Sequence, residues 1–133
     1  MLKPSERIDE LYREQMKIIQ SSETFSFSVD ALLLGDFVKL RKRDRNIMDL
    51  CSGNGIIPLL ISYRTDKKID AVEIQERLCD MAERSVEMNG KTGQISVYNL
   101  DIKDIKSKFN HSTYDVITVN PPYFTNNQPV KIG

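Results

Sequence analysis

Long apolar runs are missing from this chain. The longest, Ile56 to Ile61, is followed within a few residues by Ser62 and Arg64, far short of the roughly 20 residues that cross a bilayer. The N-terminus, Met1-Leu2-Lys3-Pro4-Ser5-Glu6-Arg7, carries mixed charge in place of the apolar stretch of a secretory signal. Together these absences predict a cytoplasmic location and no membrane partner. Cysteine is scarce, and the spacing of Cys51 and Cys79 matches no zinc-ligand pattern. They read as free thiols, and no metal is expected. Net charge is also absent, at +0, which neither requires nor excludes nucleic acid, because binding depends on where the positive charges sit. No internal repeat or low-complexity segment is present.

What remains is an ordinary globular composition, 40% hydrophobic and 29% charged over 133 residues, enough for one domain with a real core. Ile8, Leu11, Tyr12, Met16 and Ile19 recur at three- and four-residue intervals, and this predicts an amphipathic helix between Ser5 and Ile19. Phe25-Ser26-Phe27-Ser28-Val29 alternates like a strand, after which Asp30 is placed to cap a second helix through Leu40. Residues 1–45 are therefore read as an N-terminal helical and strand cap. Lys39, Arg41, Lys42, Arg43 and Arg45, with only Asp44 between them opposed in sign, form either a solvated helix end or a phosphate-facing patch.

From residue 46 the pattern changes to short strand-like runs, Ile47 to Leu50, Ile69 to Ile74, Gln94 to Tyr98 and Tyr114 to Val119, separated by helix-length segments. This is the signature of β-α-β units and a parallel sheet. Ile56 to Tyr63 is predicted to be a buried helix with Pro58 in its first turn. A second helix from about Gln75 carries Leu78, Met81, Ala82, Ser85 and Val86 on one face, with Asn89-Gly90 as its stop.

Candidate site residues follow the strand ends. Asp49-Leu50-Cys51-Ser52-Gly53-Asn54-Gly55 links the first core strand to the first core helix, where glycine permits positive φ and close approach of a ligand. The position three after Gly55 is Pro58 and not glycine, which disfavours a dinucleotide. Asp49 suits an ammonium group better than a pyrophosphate, so a ligand with an amino acid moiety fits. Glu73, 20 residues after Gly53 at the end of the next strand, is placed to accept both hydrogen bonds of a ribose diol. Asp101 can accept from an adenine amino group, with Ile102 covering the ring, or can cap the lysine-rich segment that follows; the two roles are compatible.

Asn120-Pro121-Pro122-Tyr123, after the fourth core strand, is the most specific feature. Pro122 forces Pro121 to be extended and holds the Pro121 carbonyl outward as a fixed acceptor. The Asn120 amide oxygen supplies a second. Two acceptors gripping the hydrogens of a conjugated NH2 orient its delocalised lone pair toward an electrophile and stabilise the positive charge that grows on nitrogen. Tyr123 offers an aromatic face for a planar group.

Taken in order, the Asp49 to Gly55 turn, Glu73, Asp101 and Asn120 to Tyr123 resemble the motifs of class I, seven-stranded S-adenosylmethionine methyltransferases that act on amino nitrogens. That resemblance implies a Rossmann-like parallel sheet with flanking helices. It implies S-adenosylmethionine as cofactor, held by Asp30, Asp49, Cys51, Gly53, Gly55, Glu73, Ile74, Asp101, Ile102 and Asn120, and catalysis at Asn120, Pro121, Pro122 and Tyr123. Cys51 departs from the pattern, since many such enzymes have glycine there. The segments Arg7 to Leu11, Met16 to Gln20 and Phe25 to Leu34 resemble bacterial tRNA1(Val) adenine-37 N6-methyltransferases, which implies tRNA as partner. Glutamine methyltransferases of release factors share the Asn-Pro-Pro-Tyr logic, and a cofactor- or tRNA-binding fragment without turnover is a third reading. Only ten residues follow Tyr123, so residues 46–133 are expected to form a half-domain in which the C-terminal half of the sheet is absent.

Overall fold

The computed structural model describes residues 2–11, 16–23, 34–35, 38–109 and 114–119. An antiparallel hairpin, β1 (Glu6–Leu11) and β2 (Met16–Ser21), precedes the parallel part. There follow β3 (Asn46–Leu50), α1 (Ile56–Ser62), β4 (Lys68–Glu73), α2 (Glu76–Met88), β5 (Ile95–Asn99), a single 3-10 turn (Ile102–Asp104), α3 (Ile105–Lys108) and β6 (Val116–Val119). Each core strand falls within a residue or two of its expected position.

β3 to β6 form one parallel sheet in the order β5-β4-β3-β6. The chain steps outward from β3 through β4 to β5, then returns to the other side of β3 for β6. Ile47, Ile69, Ala71 and Ile95 line one face and pack with Ile56, Ile57, Leu59, Leu60 and Ile61 of α1 and with Val86 of α2. The opposite face carries Tyr98, whose ring meets Phe109 edge-on at 4.9 Å; Phe109 meets Tyr114 at 6.1 Å in the same way. The Tyr114 hydroxyl donates to Asp70 at 2.7 Å.

The helix expected between Ser5 and Ile19 is not formed. In its place the hairpin pairs Ile8 with Ile19 and Leu11 with Met16 across the strands. Four of the residues that suggested one helical face, Ile8, Leu11, Met16 and Ile19, are cross-strand neighbours, and Tyr12 lies outside the described residues; apolar spacing along the chain did not separate the two arrangements. Tertiary contacts decide the matter, because β2 is buried on both faces. Met16 and Ile18 join the main core, while Ile19 packs with Leu78 and Met81. Its outward backbone groups are taken by side chains: Lys17 exchanges two bonds with Asn89, the Ile19 N–H donates to Ser85 Oγ at 2.9 Å, and the Ile19 carbonyl accepts from Asn54 Nδ2 at 3.1 Å. A helix would satisfy those groups internally and leave Ser85 and Asn54 buried without these partners.

The strand expected at Phe25 to Val29 lies outside the described residues. The helix expected to run through Leu40 is helical at residues 34–35, but Val38 to Leu40 are not helical. The basic stretch is a turn and not a helix end: Asp44 accepts from the Arg41 amide at 2.8 Å, and its own amide donates to the Arg41 carbonyl at 3.0 Å. Lys39, Arg41, Lys42, Arg43 and Arg45 are exposed at the amino end of β3, the edge of the sheet away from the glycine turn.

Arg84 on α2 grips Glu6 of β1 through two 2.7 Å hydrogen bonds and also reaches Asp80. The Glu6 side chain is 1% exposed. The Arg84 hydrogen bond holds the Glu6 carboxyl at about 2, well below the usual carboxylate range, with burial opposing. A lowered carboxylate pKa stabilises the fold above the unfolded-state value and is lost as pH falls. Thermal unfolding midpoints should therefore drop as pH goes from about 4.5 toward about 2. Arg84→Met should flatten that part of the profile; an unchanged acid limb would refute the assignment.

Candidate active site

In open parallel sheets, ligands bind beyond the carboxyl ends of the strands at the point where the strand order reverses. Here that point lies between β3 and β6. Leu50 pairs with both Val72 and Val119, and Glu73 pairs with Asn99. The four strands therefore end on one edge, and the glycine turn leaves β3 there. β6 ends at Val119, immediately before Asn120. Asn120, Pro121, Pro122, Tyr123 and Asp30 lie outside the described residues.

The glycine turn has the backbone its sequence implies. Gly53 has φ +56° and Gly55 φ +93°. A Cβ at Gly53 would meet nothing within 4 Å, so the turn is open there. One at Gly55 would sit 3.2 Å from Ala82 Cβ and 3.4 Å from Ala82 Cα. Close packing of turn on helix, the task a third glycine performs in dinucleotide sites, is thus carried by Gly55 against α2. Pro58 occupies the first turn of α1, as expected. Cys51 has φ +58°, the left-handed region that glycine adopts most readily and that a side chain occupies at a cost. Burial pushes its thiol pKa up. Cys79, also a free thiol, is raised to about 11 by burial.

Glu73 is buried, and both its oxygens are engaged. Oε1 accepts from the Gly53 amide and Oε2 from the Gln75 amide, each at 2.8 Å. A carboxylate has about four acceptor positions, so two remain for a diol while the others fix the turn. Asn99 Nδ2 donates to the Glu73 and Ile74 carbonyls at 3.0 and 2.9 Å, tying the ends of β4 and β5 together. Ile74 and Ile102 are 61% and 49% exposed, as apolar groups awaiting a flat ring would be. Asp101 caps the turn at Ile102 by accepting from the Lys103 amide at 3.1 Å, so its capping role is realised.

Asp49 is the most constrained of the candidates, with no exposed surface. Oδ1 accepts from Thr118 Oγ1 at 2.6 Å, while Ser52 Oγ lies 2.7 Å from Oδ2 and 2.9 Å from the Asp49 carbonyl. Burial pushes its carboxyl up to about 7; the Thr118 and Ser52 hydroxyls pull the other way, and the Glu73 charge adds to the rise. Sequence reasoning did not identify Ser52, Asn54 or Thr118 as part of the site. Asn54 binds the turn to β2, and its signal was weak because its partner is a backbone carbonyl 35 positions away. Among the described residues no cluster of His, Cys, Asp and Glu could hold a metal ion, and no helix is long and apolar enough to cross a membrane.

Four parallel strands with flanking helices and a glycine turn at the switch point define a Rossmann-like domain of the methyltransferase type. Solved structures agree on the fold. An S-adenosylmethionine-dependent methyltransferase from Agrobacterium tumefaciens matches with a TM-score of 0.70 at 18% identity, over 92% of this chain and 41% of that one. The human methyltransferase 10 domain containing protein matches with a TM-score of 0.69 at 20% identity, over 85% and 56%. The profile of the family described as "Methyltransferase small domain" matches residues 16–132, and the chain belongs to that family.

Among curated relatives, tRNA1(Val) (adenine(37)-N6)-methyltransferase of Photorhabdus laumondii is 36% identical over 97 residues, 71% of this chain and 39% of that protein. The enzyme of the same name from Haemophilus influenzae is 31% identical over 113 residues, 84% and 48%. The chain spans less than half the length of these two relatives.

Gly53→Ala meets only left-handed strain and should lose about 1 kcal/mol, whereas Gly55→Ala adds the Ala82 contact at a φ unfavourable even for Asn and should lose on the order of 3 kcal/mol. Urea melts of the two variants check the order, and equal losses would contradict it. A raised acid pKa favours the fold at low pH and weakens it as pH rises from about 3.8 to about 7. The unfolding midpoint of Asp49→Asn minus that of wild type should therefore climb between pH 4 and pH 8; a difference that stays flat would show that Asp49 is not held protonated.

Proposed function

We propose that this chain is the cofactor-binding part of an S-adenosylmethionine-dependent N-methyltransferase whose target is the exocyclic N6 of an adenine in tRNA. The observation that carries this reading is the register of β3 and β6: Leu50 and Val119 are partners. The chain thus enters the glycine turn and the Asn120 motif from adjacent strand ends. The curated relatives' names support the choice of tRNA adenine as substrate.

The residues present suit the cofactor. The space beside Gly53 admits a ligand without meeting a Cβ, Glu73 retains acceptor capacity for a ribose diol, and Ile74 and Ile102 offer apolar surface to an adenine ring. Contact with the ammonium of the methionine portion would draw Asp49 into its ionised form, which would balance that charge from beneath the turn. When bound, S-adenosylmethionine supplies an electrophilic methyl on a sulfonium. The protein's part is to orient the acceptor. In this reading the Asn120 side-chain oxygen and the Pro121 carbonyl take the two amine hydrogens, turning the nitrogen lone pair toward the methyl and stabilising charge that grows on nitrogen. Tyr123 stacks on the base and Pro122 fixes the backbone. No ionised base is required to start transfer, because the proton leaves after nitrogen has become cationic. The basic turn at Lys39 to Arg45, at the other edge of the sheet, is assigned to phosphates away from the reacting base.

Calorimetry with S-adenosylhomocysteine, joined to transfer of labelled methyl from S-adenosylmethionine onto unmodified tRNA, tests the reading. Binding and label in RNA are expected. Asn120→Ala should cut transfer by on the order of a hundredfold while cofactor affinity changes far less. Label appearing only in release factor would move the assignment to a glutamine methyltransferase, and binding without transfer would mark a non-catalytic fragment.

A further inference from the structure

The Asp49 carboxyl joins three strand ends that the site requires. Asp49 on β3 and Thr118 on β6 are register partners, both are buried at 0% and 4% exposure, and their side chains meet at 2.6 Å. On its other oxygen Asp49 meets Ser52, the first buried residue of the turn, whose amide donates to the Val72 carbonyl of β4 at 3.0 Å. The next amide, of Gly53, donates to Glu73. One chain of polar contacts, buried at Thr118, Asp49, Ser52 and Glu73 and half-buried at Gly53, therefore runs from β6 across β3 to β4.

Thr118 is the member of this chain that valine matches most closely in size, the difference being a methyl where the hydroxyl now meets the Asp49 carboxyl. A parallel strand with Ile117 and Val119 as its neighbours would ordinarily be filled with valine or isoleucine at such a position. The hydroxyl therefore serves the carboxyl and not the sheet. Without it Asp49 Oδ1 has no partner among the described residues. An unmet buried carboxyl oxygen either protonates or shifts to find water.

We propose that Thr118 is a positioning residue: through Asp49 and Ser52 its hydroxyl holds the end of β6, from which the chain enters Asn120, in register with the glycine turn. Resting on the methyltransferase reading, this makes Thr118 a residue that sets cofactor affinity and methyl alignment without touching either substrate. Thr118 also favours the ionised form of Asp49, so its loss should move the pH range in which an ammonium-bearing ligand binds well. Among the described residues Glu73 on β4 and Cys51 in the turn are the ionisable groups that interact with Asp49. Neither is altered by the substitutions below, and the ligand's own amine titrates identically against every variant.

The test is S-adenosylhomocysteine affinity by calorimetry between pH 6 and pH 9 for wild type, Thr118→Val and Thr118→Ser. Thr118→Val should bind about tenfold more weakly near neutrality, the worth of one buried hydrogen bond to a charged group. Its affinity should recover at higher pH than that of wild type. Thr118→Ser keeps the hydroxyl and should stay within about twofold of wild type with an unmoved pH profile. In an Asp49→Asn background, Thr118→Val should add no pH shift. If Thr118→Val does not fold, Thr118→Ala removes the hydroxyl without placing a methyl against the carboxyl and is read in the same way. Wild-type binding unaffected by Thr118→Val, or Thr118→Ser as impaired as Thr118→Val, overturns the inference and leaves the methyltransferase reading intact. Failure of the wild type to bind S-adenosylhomocysteine overturns both.

Discussion

Parallel pairing of β3 on both its sides is the constraint from which the rest of this structure follows. Because β4 and β6 run alongside β3 in the same direction, the chain must leave all three strands at one edge. The loops that follow these strands are then drawn to that edge. The same pairing buries β3 completely enough that Asp49, at its carboxyl end, has no water contact. A carboxyl in that position has to be met by protein donors, and Thr118 and Ser52 supply them. The polar chain through the strand ends is thus a consequence of placing an acid on a central parallel strand.

The N-terminal hairpin shows the same economy of contacts. β2 is an edge strand of a two-stranded sheet, a form with little stability alone. It persists because α2 offers Ser85 and Asn89 to its outer backbone groups and Leu78 and Met81 to its side chains, while Arg84 clamps Glu6 of β1. Asn54 then ties this hairpin to the glycine turn. The turn is consequently held from three sides: by Glu73 on β4, by Asp49 and Ser52 beneath it, and by β2 through Asn54. No buried side-chain nitrogen or oxygen among the described residues lacks a partner. Such a preorganised turn suits a ligand bound mainly through backbone amides and small gaps.

Family membership and fold agree with this picture at very different levels of sequence similarity. Identity near 20% with solved methyltransferases still gives superposable sheets, because the sheet needs only apolar side chains of suitable size along its strands. The glycine turn is more demanding. Gly55 resists a side chain for two separate reasons, its φ and its distance from Ala82, whereas Cys51 occupies left-handed backbone that a non-glycine residue can adopt at a cost of roughly 1–2 kcal/mol.

The sequence by itself determined the parallel core. The strands beginning near Ile47, Ile69, Ile95 and Val116, the helices after Gly55 and Gln75, and the turn between Asp49 and Gly55 were all legible, because each is specified by neighbours within a dozen residues: a run of β-branched residues, a helical stripe, a glycine. Glu73 and Asp101 were legible as strand-end acids for the same reason. Only the tertiary structure decided that Ile8 to Ile19 is a hairpin, since three- and four-residue spacing fits either a helix or cross-strand pairs and the choice rests on burial of both faces of β2. It alone revealed Ser52, Asn54 and Thr118 as parts of the site and gave Asp49 its raised pKa. Those properties belong to contacts between residues up to 69 positions apart, and no local pattern encodes which distant hydroxyl will meet a buried carboxyl.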